Sequence, residues 1–575
     1  MKPPAHSRAA SDAALDQGEG SRTGDREIIE ERLPHAKYGP WAALLLTMLA
    51  VVAFFYGLGG PALLGPDEPR YAEVAREMFT TGDYISPRLC GCLWFEKPAL
   101  FYWVASVSYR VFGVGEFGAR FPSALAAAVT ALFLGWWLWR SGFVRLGPLV
   151  SFVLMTSGLF IAYARAATPD MLLAACVGIA LVSGYSGANS TSRKARIRSV
   201  VLCGAATGLS VLAKGLVGMV LIAAILGLYL VIIGRLKATG RWTWIAGFLL
   251  AAGVAAVWYV PVTVEHGWSF IEQFFIEHHF KRYVTNRFYH PQPFYFYPAI
   301  AVFGTAPWSF ILLCAGWRLS KLRPRANRRD SLLTLAWLWA LLPMVFFSFS
   351  VSKLPGYILP VFPALAIVIG SELERVWVGE RTTGLKIALW MTAIGFVALS
   401  FGAAIFFLRE GANPTGWLRL GLWLPTAIAI AAAVVLARTK MRVFLLGAGA
   451  LVASLIFGAT TILFPAVNNH WSRKQLSLEA ASALRSGEKI GFFIDKEYAP
   501  VFYSQGRVEC GQPEGDILNA LREDRLAEAL QGKSSMIVIT LERWRKGLEE
   551  DGRFDLEFIG SQGEVLAYRV TMKPR

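Results

Sequence analysis

The sequence predicts a polytopic α-helical membrane protein with thirteen transmembrane helices, interfacial helices in its first external loop and a small external α/β domain at its carboxyl end. Three observations predict it. Apolar runs of membrane-spanning length recur through the 575 residues, only 17% of which are charged, and mean hydropathy is +0.45. The net charge of +17 is concentrated in short connections between those runs, as the retention of Lys and Arg on the cytoplasmic side requires. That distribution argues against nucleic acid as a partner. After His470 the apolar runs stop, and short strand-like and helical segments alternate.

The first 38 residues are polar and mixed in charge, with no apolar signal core. They read as a disordered cytoplasmic tail rather than a cleaved leader. The membrane domain then runs over 39–468. Its spans are the runs at 41–60, 117–139, 147–164, 170–187, 199–213, 215–234, 243–261, 297–317, 331–349, 355–376, 384–407, 418–437 and 441–464. A further run at 99–113 would be only ~22 Å long as a helix and carries Ser106, Ser108 and Arg110. It is read as interfacial, a short kinked span being the alternative. The connection Arg318 to Asp330 holds six Lys or Arg against one Asp and is therefore cytoplasmic. The same holds for 193–198, 235–241 and 438–442. The connections at 164–170 and 213–215, the first loop (61–113) and a second large loop (262–296) are then external. So is the carboxyl terminus.

Residues 469–575 form the external α/β domain. Strands are expected at 490–494, 536–540, 554–560 and 564–570, and helices at 516–530 and 542–550. Neither GxGxxG nor GxxxxGK[ST] occurs in it, so the domain is expected to cover or orient a membrane site rather than bind a nucleotide. The six cysteines show no metal-site spacing. Cys90, Cys92 and Cys510 fall outside the membrane, where one disulfide is possible and its pairing is open.

The chemistry gathers on the external side. Gly65 to Pro98 carries ten charges between two apolar segments. From Pro69 to Phe79 it has helical period, with Tyr71, Val74, Ala75, Met78 and Phe79 on one face and Arg70, Glu73, Arg76 and Glu77 on the other. Such a helix is expected to lie on a membrane surface. Asp67 and Glu68 stand at its mouth, either as a helix cap or as carboxylates held where headgroups meet lipid. Asp170 follows Pro169 and admits the same two readings. Lys214, in the shortest external turn, either snorkels or meets a phosphate. Lys353 precedes Pro355-Gly356-Tyr357, a helix-breaking turn whose freed amides suit phosphate. The second large loop holds His266, His278, His279 and His290 among many aromatics. Most of those aromatics read as an interfacial belt. His278 and His279 beside Glu277 suit a divalent cation, and Lys281 and Arg282 an anionic headgroup.

The segments DEPRYAE (Asp67 to Glu73), FEKPALFYW (Phe95 to Trp103), ARFPSAL (Ala119 to Leu125), RAATPD (Arg165 to Asp170), AKG (Ala213 to Gly215) and SKLPGYILP (Ser352 to Pro360) occur in that order over the first two-thirds of the chain. Together they resemble the polytopic lipid-linked glycosyltransferases of the GT-C class. The chain is most similar to the bacterial branch containing the 4-amino-4-deoxy-L-arabinose transferases of lipid A and the protein O-mannosyltransferases. The resemblance implies transfer of a sugar from an undecaprenyl phosphate carrier to lipid A or another lipopolysaccharide component, at the periplasmic face of a bacterial inner membrane. A protein Ser or Thr acceptor is one alternative. A lipid-linked sugar transporter is another, although transporters place ionisable residues at mid-membrane and show repeated halves, and no repeat is found here.

The resemblance further implies catalytic roles for Asp67, Glu68 and Asp170 and substrate contacts from Arg70, Lys97, Lys214, Arg282, Lys353 and Tyr357. Glu96 with His278 and His279 would form the candidate site for a divalent metal. A phosphate-linked donor carries its own leaving group, so no nucleotide cofactor is required. Carboxylates would stabilise an oxocarbenium-like transition state. A hydroxyl acceptor would need Asp67 as base, whereas an ionised phosphate would need none.

Overall fold

A computed structural model of the chain describes residues 40–236, 240–281, 291–380, 382–409, 423–431, 441–465, 472–509, 520–521, 523–531 and 533–573. Among these, eight helices are long and apolar enough to cross a membrane: Glu116–Arg140, Asp170–Asn189, Arg193–Lys214, Trp242–Glu277, Arg328–Ser348, Pro355–Trp377, Thr383–Phe406 and Arg442–Ile462. The other expected spans are shorter, broken or partly outside the described residues. Pro40–Phe55 and Val217–Ile232 are short apolar helices, and Leu146–Thr156 meets Gly158–Ala164 at a bend of 69°. The run at 297–317 divides into Phe296–Gly304 and Ser309–Gly316. Of 418–437, residues 423–431 are described and helical. The amino-terminal tail lies outside the described residues.

The bundle packs through its apolar side chains, and the polar ends of its large aromatics find partners inside it. The Trp339 indole donates to the carbonyl of Pro360 at 2.6 Å, and that of Trp308 to the Thr156 hydroxyl at 2.9 Å. Helices α7 (Asp170–Asn189) and α8 (Arg193–Lys214) form a hairpin whose second member stops at Gly215, with φ +87°. A glycine at this positive φ lets the chain leave the helix sharply after Lys214 and holds the lysine at the rim.

The first loop departs from expectation in an informative way. Helix α2 begins at Asp67, two residues before Pro69, and runs to Thr81. Its charged face is not wet: Glu73 and Glu77 are buried along with Tyr71, Val74, Ala75 and Met78. Helix α3 (Leu100–Phe112) covers one side, where the Ser106 and Tyr109 hydroxyls donate to the carbonyls of Ala75 and Ala72. The short helix Ala499–Tyr503 and the turn after it cover the other, with Arg76 donating to the carbonyl of Gln505 at 3.0 Å. The helix expected at a membrane surface is packed between two protein layers. The second layer lies more than four hundred positions away, beyond the reach of local periodicity.

The carboxyl-terminal unit is a five-stranded sheet ordered β4-β3-β5-β7-β6. Strands β3 (Ile490–Phe493), β4 (Ala520–Leu521) and β5 (Met536–Leu541) are parallel, while β7 (Val565–Met572) pairs antiparallel with β5 and with β6 (Phe554–Gln562). Of the helix expected over 516–530, Glu523–Leu530 is helical and Ala520–Leu521 is drawn into the sheet edge, while 516–519 and 522 lie outside the described residues. One apolar core joins this sheet to the first loop: Leu476, Ile490, Phe492 and Val501 pack in the same cluster as Tyr71, Met78, Tyr102 and Tyr109. Cys90 and Cys92 lie in the first loop, and Cys510 lies outside the described residues.

Candidate functional site

Helix α2, the turn Arg165–Pro169, the junction of α8 with α9 (Val217–Ile232) and the tight turn Pro355–Val361 enclose a cavity of about 930 Å³. Asp67, Glu68, Glu96, Lys97, Asp170, Lys214 and Tyr357 line it. Seven residues singled out from sequence thus converge from five separate stretches of chain.

Asp67 is the open carboxylate of the α2 mouth, its side chain 44% exposed and bonded at 2.5 Å to Arg70. It does not cap the helix, since the cap position is Pro66 and no side chain bonds there. Arg70 stands behind Asp67 rather than on the cavity wall, 3.7 Å from Glu96 and between the rings of Trp94 and Tyr498. Glu68 is differently placed. Both its oxygens bond the buried Arg120, at 2.8 and 2.7 Å, and each takes a backbone amide as well, from Ala167 and from Leu64 at 2.8 Å. Four donors leave this carboxylate no free lone pair to offer a substrate. The geometry makes it a brace between the first loop, α4 (Glu116–Arg140) and the α7 entry.

Asp170, the first residue of α7, accepts from the Lys214 ammonium, which also lies 4.9 Å from the centre of the Tyr357 ring. The Pro355 turn is pressed against this pair. A Cβ on Gly356 would stand 2.8 Å from the Tyr163 ring and 3.0 Å from the Asp170 carboxylate. Glu96 takes the Lys97 ammonium at 2.8 Å.

The remaining candidates sit elsewhere. Lys353 is buried but does not line the cavity; its ammonium donates to the carbonyl of Gln292 at 2.9 Å. Arg282 and the side chains of His278 and His279 lie outside the described residues. Glu96 faces Lys97 and Arg70, and Glu277 bonds Lys281, so both carboxylates are matched to side-chain cations. Among the described residues no three His, Cys, Asp or Glu side chains assemble as metal ligands.

Sequence reasoning missed two arginines on the wall, Arg120 and Arg165. A signal existed for the first: an arginine one turn inside an apolar span needs an internal partner, and Glu68 supplies it. Arg165 had been counted only as part of RAATPD.

A sequence model of the family described as dolichyl-phosphate-mannose-protein mannosyltransferase matches residues 96–260. Among curated proteins, an undecaprenyl phosphate-alpha-4-amino-4-deoxy-L-arabinose arabinosyl transferase of Aeromonas hydrophila is 31% identical over 363 residues, 62% of this chain and 64% of the relative. A protein of the same description from Sodalis glossinidius is 30% identical over 392 residues, 66% of this chain and 67% of the relative. The match thus spans just under two thirds of the Aeromonas relative's length and two thirds of the Sodalis one. Among solved structures, ArnT from Cupriavidus metallidurans bound to undecaprenyl phosphate superposes with a TM-score of 0.76 at 24% identity, covering 93% of this chain and 98% of that one. Its apo state gives 0.75. The fold is shared over nearly the whole length.

Proposed function

Because this chain belongs to the family of undecaprenyl phosphate-alpha-4-amino-4-deoxy-L-arabinose arabinosyl transferases, we propose that it moves a sugar from an undecaprenyl phosphate carrier to a phosphate of lipid A or a similar lipid. The reaction would take place at the periplasmic face of a bacterial inner membrane. The observation that carries this reading is the pairing on the cavity wall: two carboxylates, Asp67 and Asp170, each bonded to a cation, Arg70 and Lys214, with Lys97 beside them.

The chemistry follows from that pairing. An acceptor phosphate oxygen forms a bond to the anomeric carbon as the bond from that carbon to the carrier phosphate oxygen breaks. The electron pair leaves with the carrier, which departs as undecaprenyl phosphate. Positive charge gathers at the anomeric carbon between the two events, and fixed carboxylates stabilise it. Lys97 and Lys214 face the negative charge that accumulates on the leaving phosphate. A carboxylate already bonded to a cation is arranged to hold charge rather than to collect a proton, which suits an acceptor that arrives ionised. Glu68 fixes the first loop to the bundle so that Asp67 is correctly placed.

The test is transfer of radiolabelled sugar from the undecaprenyl phosphate donor to lipid A by the purified chain in detergent, with no sealed membrane. Labelled acceptor is the expected product. Failure of transfer in detergent, with labelled donor crossing the bilayer in proteoliposomes, would replace the enzyme by a transporter.

A further inference from the structure

Four cationic side chains line the cavity among the described residues: Lys97, Arg120, Arg165 and Lys214. Three of them are bonded to acids, Lys97 to Glu96, Arg120 to Glu68 and Lys214 to Asp170. Arg165 is different. Among the described residues it has no acidic partner, and its guanidinium donates only to carbonyls, that of Ala53 at 3.3 Å and that of Tyr56 at 2.9 Å. A guanidinium has five N–H donors, so two carbonyl bonds leave it donors to spare at the cavity wall. Its nearest cation makes the placement costlier still: burial and the Arg120 charge push its pKa down to about 10. A cation held against its own solvation and against a like charge is stabilised by an anion that comes from outside the chain.

Its position says which anion. Arg165 sits beside the end of the first apolar helix, where Tyr56 stacks on Phe457 at 5.8 Å and Gly57 touches Thr460. Leu58, Pro61 and Phe464 form the wall next to it. Lys97 comes from a different segment, the one where Phe95 packs on Phe270. Asp67 and Asp170 line the same cavity, both within electrostatic reach of Tyr163. A transferase joining two phosphate-bearing lipids has to hold two anions, one on each side of the reacting carbon. Resting on the reading above, we infer that Arg165 binds the phosphate of the acceptor lipid, opposite the carrier phosphate at Lys97.

The test uses the full-length chain in lipid nanodiscs, with undecaprenyl phosphate-linked sugar as donor and lipid A as acceptor. Arg165→Gln keeps an N–H to bond the Ala53 or Tyr56 carbonyl but removes the charge; Arg165→Lys keeps the charge. In Arg165→Gln the KM for acceptor should rise by about tenfold or more, the worth of a charge-assisted contact, while kcat, donor KM and melting temperature stay near wild type. Arg165→Lys should recover most of the acceptor KM. A rise in donor KM instead would move Arg165 to the carrier side and overturn the inference. An unchanged acceptor KM in Arg165→Gln would do the same, and so would a loss of thermal stability in both variants with acceptor KM unchanged, which marks a mere brace. Wild-type chain that transfers to no phosphorylated lipid would defeat the functional reading itself, and the inference with it.

Discussion

Asp67 and Glu68 are neighbours in sequence and differ in almost everything else. Asp67→Asn keeps size and acceptor geometry, loses an Arg70 pair that is partly exposed, and so should change stability by about 1 kcal/mol at most. Turnover at saturating donor should nevertheless fall by about 100-fold or more if, as proposed, this charge stabilises the anomeric carbon. Glu68→Gln should show the reverse pattern. Its partner Arg120 is buried, and leaving that charge uncompensated costs on the order of 3 kcal/mol or more. Its melting temperature and membrane abundance should drop, with residual turnover per folded molecule far above that of Asp67→Asn. Equal turnover losses in the two purified variants would contradict this division of labour. Local sequence pattern does not show what separates the two acids physically, which is Arg120, fifty-two positions away.

At the scale of elements, the turn Pro355–Val361 and helix α2 each carry a consequence. Gly356 is the only residue type that fits against Tyr163 and Asp170. Gly356→Ala should displace Asp170 and its lysine, lowering kcat by on the order of 10- to 100-fold with a loss of about 1–3 kcal/mol in stability. A wild-type kcat in this variant would show that the turn does not set the carboxylate. In α2, burial pushes the Glu73 carboxyl up to about 8, against the opposing pull of Arg76. The folded chain therefore holds a proton that the unfolded chain releases near the ordinary glutamate pKa of about 4.3. Stability from this group is full below that value and is lost as pH rises through about 8. Thermal melts in detergent should show α2 and the sheet held more firmly at pH 6 than at pH 9, a difference that Glu73→Gln should flatten. Periodicity identified α2 and its faces; it could not say that the charged face would be covered.

For the molecule as a whole, the apolar runs and the basic connections made the bundle legible, because membrane burial leaves a long and simple signature in sequence. A reporter fused after Asp330 should lie in the cytoplasm and one fused after Trp471 on the opposite side. Both on one side would refute the thirteen-span count. The cavity was legible only as a set of conspicuous residues at run edges. Seven of them do line it, but Lys353, chosen by the same logic, points to a backbone carbonyl instead. Edge position marks where a lysine emerges and says nothing of which neighbour it meets.

The shared core of the first loop and the terminal sheet also orders events in time. Helix α2 leaves the ribosome some four hundred residues before the strands that complete its packing, a wait on the order of tens of seconds at ordinary elongation rates. Through that interval Tyr71, Met78 and the buried pair Glu73 and Glu77 have no final neighbour on one side, and the mouth holding Asp67 is unfinished. A chain cut short by a nonsense codon or a protease before Ile490 therefore leaves one side of α2 uncovered, however well its spans insert. The apolar face of α2 thus waits for the end of synthesis to be fully covered, and partial chains leave part of it exposed.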